Sequence, residues 1–91
     1  MKVNINEHRR GQRVITTATV HGNRLAADFP GWGDPNYRDH LVPQQPGLTG
    51  TVVSVESHGS DPYTRYTVQF DDGTRDMGLA EGRDIEFTAG R

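Results

Sequence analysis

Apolar and polar residues alternate with a period of two in two stretches of the chain, 11–20 and 47–87, and this period predicts β-strands. Residues 12–20 are rich in β-branched side chains, whose restricted χ1 suits a pleated surface. Val14, Thr16, Ala18 and Val20 would share one face there. From 49 to 57 the pattern predicts a second strand, with Thr51, Val53 and Val55 on one face and Val52, Ser54 and Glu56 on the other. Gly59-Ser60-Asp61-Pro62 reads as a turn. Residues 63–70 then place Tyr66, Val68 and Phe70 inward and Arg65, Thr67 and Gln69 outward. Asp71-Asp72-Gly73-Thr74 follows, and Asp-Gly between two extended runs signals a hairpin. Residues 75–79 return with Met77 and Leu79 toward the core, a short turn covers 80–84, and Ile85 and Phe87 point inward in the last strand. A brief alternation at 2–6, with Val3 and Ile5 on one side, predicts a further short strand.

Residues 21–46 break this pattern. Pro30, Pro35, Pro43 and Pro46 sit among Gly22, Gly31 and Gly33, and no apolar period survives. One helical turn over 23–29, stopped by Pro30, is the local structure expected in an otherwise long loop. A loop of this length in a compact domain is usually functional or disordered. This one carries Phe29, Trp32 and Tyr37 on a Gly/Pro scaffold, followed by Arg38.

Composition narrows the options. A chain of 91 residues points to a single domain. Hydrophobic residues make up 32%, so a compact core requires them to cluster well. The absence of cysteine excludes disulfides, thiolate nucleophiles and thiolate-bound metals, and favours a cytoplasmic protein. Residues 1–10 lack the apolar segment of a secretory signal, and nothing approaches the roughly 18–20 apolar residues of a membrane helix. Net charge is −2, unevenly spread: Lys2, Arg9, Arg10, Arg13 and Arg24 face only Glu7 up to residue 24, a balance of +4, and the remainder carries −6. The field of a nucleic-acid-binding domain is absent, while a basic N-terminal arm over 1–10 remains.

Short alternating strands with tight turns mean an all-β sandwich or barrel. The chain resembles the SH3-like small barrels, notably KOW-like and Tudor-like domains. The resemblance rests on Gly11-Gln12-Arg13-Val14, on Pro46-Gly47-Leu48-Thr49-Gly50 leading into Thr51-Val52-Val53-Ser54-Val55, on Tyr66-Thr67-Val68-Gln69-Phe70-Asp71-Asp72-Gly73, and on Arg83-Asp84-Ile85-Glu86-Phe87. It implies a single domain over 1–91, a five-stranded barrel with strands mainly within 11–20 and 47–88 and a long first loop over 21–46. It also implies a recognition module, with proteins, modified peptides or nucleic acid as ligand classes. The chain departs from the pattern in the length of that loop and in lacking a basic RNA-binding surface. Tyr63 and Tyr66 with Phe70 match a Tudor aromatic cage only in part.

Turn formation accounts for Asp71 and Asp72, so no metal site is expected there or at Asp76. His8, His21, His40 and His58 show no metal-ligand spacing, although a folded loop could bring His21 and His40 to Asp39. Ser54, Ser57 and Ser60 near His58 form no Gly-x-Ser-x-Gly or facing Ser-His pair. A chain this short is also expected to lack the pocket of about 300 Å³ or more that most enzymes carry. The expectation is therefore a non-enzyme without catalytic residues, metal or cofactor. Pro43-Gln44-Gln45-Pro46 has Pro-x-x-Pro spacing and reads chiefly as loop stiffening.

The leading expectation is a protein-interaction module that binds through Phe29, Trp32, Tyr37 and Arg38 and the adjacent barrel face with Tyr63 and Tyr66, since Trp, Tyr and Arg are enriched in binding hot spots. Phe29 and Trp32 could instead cap a thin core. The alternative is RNA or DNA binding by Lys2, Arg9, Arg10, Arg13 and Arg24, with the loop aromatics stacking on bases. A third class is a small subunit that buttresses a larger assembly.

Overall fold

The computed structural model describes residues 7–56 and 64–88. Lys2, the alternation at 2–6, His58, the turn at 59–62 and Tyr63 lie outside the described residues. The described residues form seven strands: β1 (Arg13–Thr16), β2 (Asn23–Leu25), β3 (Leu41–Pro43), β4 (Thr49–Glu56), β5 (Arg65–Phe70), β6 (Arg75–Leu79) and β7 (Ile85–Phe87). They make one antiparallel sheet in the order β3-β2-β6-β5-β4-β1-β7, which does not close on itself. Single 3₁₀ turns occupy Glu7–Arg9 and Tyr37–His40.

The core follows the inward positions of five strands. Val14 of β1, Val52 and Val55 of β4, Tyr66, Val68 and Phe70 of β5, Leu79 of β6 and Ile85 of β7 form one buried cluster, with Leu48 and Phe87 packed against it. Burying each such side chain contributes about 1.5–3 kcal/mol. The alternation along β5 holds throughout: Tyr66, Val68 and Phe70 are buried, and Arg65, Thr67 and Gln69 are half-buried on the other face. Asp71-Gly73 turns as the Asp-Gly signal predicts. The Gly73 N–H donates to Phe70 O at 3.0 Å, Gly73 takes φ 94°, and Asp72 Oδ1 accepts the Thr74 N–H at 2.9 Å.

Three expectations are corrected. On β4, Val53 and Val55 do not share a face, because a bulge between Val52 and Ser54 shifts the register. Val52 and Val55 are both buried and Val53 is 36% exposed. On β6, Met77 is 51% exposed although Leu79 is buried. Gly78, with φ 76°, breaks the alternation between them, and β5 and β6 shift register opposite. The first strand ends at Thr16 rather than Val20: Thr16 Oγ1 donates to Gln45 O at 2.7 Å and accepts the Leu48 N–H at 2.8 Å, and the chain then turns.

The segment 21–46 is also more ordered than a long loop. No helical turn forms over 23–29. Instead β2 and β3 pair as a hairpin, Arg24 opposite Val42, and Leu25 joins β6 opposite Arg75. Arg24 anchors this hairpin from a buried position: Nε donates to Thr74 Oγ1 at 3.0 Å, Nη1 donates to Pro43 O at 2.8 Å, and Nη2 lies 3.6 Å from Asp72.

Candidate functional site

The loop between β2 and β3 brings its aromatic residues together. Phe29 and Trp32 meet edge-on at 4.9 Å between centroids, and Trp32 and Tyr37 meet edge-on at 5.3 Å. The Arg38 guanidinium lies 5.2 Å from the Tyr37 ring centre and extends the row. Trp32 is 59% exposed, and neither Trp32 nor Phe29 belongs to the hydrophobics packed against the core. The rings therefore form a surface row. Local bonds hold the loop that carries them: the Phe29 N–H donates to Ala26 O at 3.0 Å, the Tyr37 N–H donates to Asp34 O at 3.1 Å, and the Asn36 N–H donates to Asp34 Oδ1 at 2.7 Å. His40 Nδ1 lies 3.1 Å from Asp28 Oδ1 and holds that carboxyl below its ordinary value.

Tyr66, expected on the binding face, is 3% exposed in the core and edge-on to Phe87 at 5.3 Å. It lies on β5, away from the ring row. The β-period that pointed Tyr66 inward outweighs its resemblance to a cage residue.

The basic residues are dispersed and engaged with the fold. Arg9 stacks on Phe87 at 4.1 Å and lies 3.6 Å from Glu81. Arg10 Nη1 donates to Val53 O at 3.2 Å. Arg13 grips Asp71 with two hydrogen bonds, of 2.8 and 2.5 Å, and donates to Thr51 Oγ1 at 2.9 Å. Arg24 is the buried anchor described above. Hydrogen bonds from Arg13 and Thr49 hold the Asp71 carboxyl well below the usual carboxylate range.

His21 and His40 do not meet. His21 lies 3.7 Å from Asp84, and His40 pairs with Asp28. Among the described residues, no three His, Asp or Glu side chains are placed to hold a metal ion. Asp84 is almost fully buried in a pocket of about 190 Å³ that also borders His21 and Asp76. Burial pushes the Asp84 carboxyl up. Hydrogen bonds from Arg83 and the Ala80 N–H outweigh this and leave it below its ordinary value. Asp76, which accepts from Gln44 Nε2 at 2.6 Å, is raised, chiefly by burial.

Contrary to expectation for so short a chain, a cleft of about 460 Å³ opens beside the ring row. It exists because the β2–β3 hairpin stands against the β5–β6 hairpin. Leu25, Ala27 and Phe29 form one wall, and Gln69, Gly73 and Arg75 form the other. Arg75 faces Gln69 directly across the two strands and donates to Gln69 Oε1 from both Nε and Nη2, each at 3.2 Å. Phe29 belongs both to the cleft and to the ring row. Neither Gln69 nor Arg75 stood out in the sequence. The signal was nevertheless there, since a hairpin turning on Asp71-Gly73 brings the residues that flank it face to face.

No protein-family model, curated protein or solved structure matches the chain. Among the described residues no helix is long and apolar enough to cross a membrane.

Proposed function

We propose that this protein is a non-enzymatic interaction module that captures a protein partner through the Phe29-Trp32-Tyr37 row, with Arg38 at one end and the cleft at the other. The observation that carries the reading is the exposure of Trp32 between two further rings on a loop fixed by its own hydrogen bonds. A large aromatic surface held in one conformation loses little entropy on binding, and this is why such rings dominate binding energy. The engagement of Arg9, Arg10, Arg13 and Arg24 with acids, rings and carbonyls of the fold weighs against the nucleic-acid alternative.

The scaffold is best read as a relative of the SH3-like small barrels. What supports this is the β4-β5-β6 meander with β1 and β7 continuing from its β4 edge, together with the bulge that bends β4. On that reading the β2–β3 hairpin is an elaboration of the first loop, attached to the β6 edge. The absence of cysteine supports a reducing, cytoplasmic setting.

Affinity capture from host lysate, with and without nuclease, tests the function. Wild type should retain a partner through nuclease treatment, and Trp32→Ala and Tyr37→Ala should melt like wild type but lose it. Retention abolished by nuclease would favour nucleic acid, and unfolding of both variants would return the rings to the core and remove the proposal's support.

A further inference from the structure

The cleft beside the ring row carries a guanidinium that, among the described residues, pairs with no acid. Arg9, Arg13, Arg24 and Arg83 each lie within 4 Å of a carboxylate. Arg75 is exposed, and among the described residues its hydrogen bonds go only to the neutral Gln69. Both bonds fall on the one Oε1 atom, so Nη1 and half of Nη2 keep their donors. The pair directs the guanidinium without neutralising it. Among the described residues, Arg75 is also the one charged residue that lines the cleft. Beside it, on β2 and the loop that follows, Leu25, Ala27 and Phe29 give the cleft an apolar lining for a side chain of modest size.

We propose that this cleft binds an acidic segment of the partner protein: one carboxylate pairs with Arg75, and a neighbouring apolar side chain lies against Leu25, Ala27 and Phe29. This rests on the protein-interaction reading above and names the chemistry of the partner. A planar guanidinium with two parallel donors matches a carboxylate, and such pairs are stronger than neutral hydrogen bonds. Phe29 then joins two contacts of one ligand, since its ring lines the cleft and lies 4.9 Å from that of Trp32. Three nearby carboxylates are engaged within the fold: Asp28 by His40, Asp34 by the Asn36 N–H, and Asp72 by Thr74.

Selection of a displayed library of random linear peptides on the whole protein tests the inference. Binding of the enriched peptides is then read from the fluorescence of Trp32, the single tryptophan. Enriched peptides should share an Asp or Glu close to an apolar residue. They should weaken about tenfold when that acid becomes its amide, and weaken as salt rises. Arg75→Glu should lose them by at least about tenfold and, panned afresh, should select basic peptides instead. Ala27→Glu, which supplies Arg75 with a carboxylate from the facing wall, should also lose them by about tenfold and guards against a folding defect in the first variant. Peptides enriched without an acid, or bound equally by Arg75→Glu, would overturn this inference and leave the interaction module standing. No enrichment at all would overturn both.

Discussion

Arg24 and Thr74 join the two halves of the cleft: the buried Nε of Arg24, on β2, donates to Thr74 Oγ1, at the end of the β5–β6 turn, at 3.0 Å. Thr74 Oγ1 in turn donates to Asp72 Oδ1 at 2.6 Å, so one chain of bonds runs from the hairpin carrying the ring row into the main sheet. Backbone pairing between β2 and β6 is confined to Leu25 opposite Arg75. The arginine therefore does much of the work of attachment.

Arg24→Ala removes this link and leaves the Pro43 carbonyl without its side-chain donor. The expected loss is about 2 kcal/mol, since one buried charged hydrogen-bonding group is deleted and its partners are partly rehydrated. For a domain of this size that is a fall of about 10 °C in Tm. A calorimetric melt measures it. An unchanged Tm would mean that the hairpin stands without Arg24 and that the residue is free for another role.

The Arg13–Asp71 pair should be visible in acid. Hydrogen bonds from Arg13 and Thr49 lower the folded Asp71 carboxyl below its unfolded value, so the charged form is favoured by folding. That stability is fully present above about pH 4, the ordinary carboxylate value, and is lost as pH falls toward the lower folded value. Asp71→Asn should therefore flatten the acid limb of a plot of urea midpoint against pH. The difference from wild type should shrink at high salt, because both groups are exposed. An acid limb as steep in Asp71→Asn as in wild type would contradict the assignment.

Asp76 should act in the opposite direction. Burial raises its folded value, so folding favours the neutral carboxyl. Its contribution is present below about pH 4 and is lost as pH rises through the folded value. Asp76→Asn should gain stability relative to wild type between acid and neutral pH. The new amide keeps one oxygen to accept the Met77 N–H, and once the Gln44 amide flips its NH₂ can donate to Gln44 Oε1, which has no partner among the described residues. Paired melts at pH 3 and pH 7 read the crossover. A difference that does not change with pH would show that Asp76 titrates normally.

What could be read in the sequence divides along physical lines. The alternation at Tyr66, Val68 and Phe70 and the Asp71-Gly73 turn are local patterns, and the folded chain keeps them. The positions of Val53 and Met77 depended on bulges in register with a partner strand, which no single strand's period contains. β2 and β3 leave no period in the sequence because each is three residues long, and Arg24 reads there as a surface charge. Burial of that charge is stable only with Thr74, distant in sequence, as its partner. The ring row was legible as composition, but its edge-on order and exposure depended on the turns at Ala26 and Asp34. The cleft depends on the β2–β3 hairpin, which those short strands do not announce.

Gly50 marks a close approach of β4 and β5. It is buried on β4 opposite Phe70, and a Cβ built there would lie 2.7 Å from both Gln69 O and Val68 Cγ1 and 3.0 Å from Phe70 Cα. The Val68 methyl could rotate aside, but the other two contacts are backbone. Moving them means shifting β5, which carries three residues of the core and, through Gln69, the brace on Arg75. Gly50→Ala should therefore cost about 2–3 kcal/mol, the upper part of the range of about 1–3 kcal/mol for overpacking a close-packed interior. Val53→Ala, on the outward side of the same strand, should cost less than about 0.5 kcal/mol. Chemical denaturation of the two variants measures the contrast, and equal midpoints would contradict the close approach of β4 and β5. Because the displaced strand holds Gln69, Gly50→Ala should also weaken any acidic peptide bound at Arg75, although Gly50 does not line the cleft.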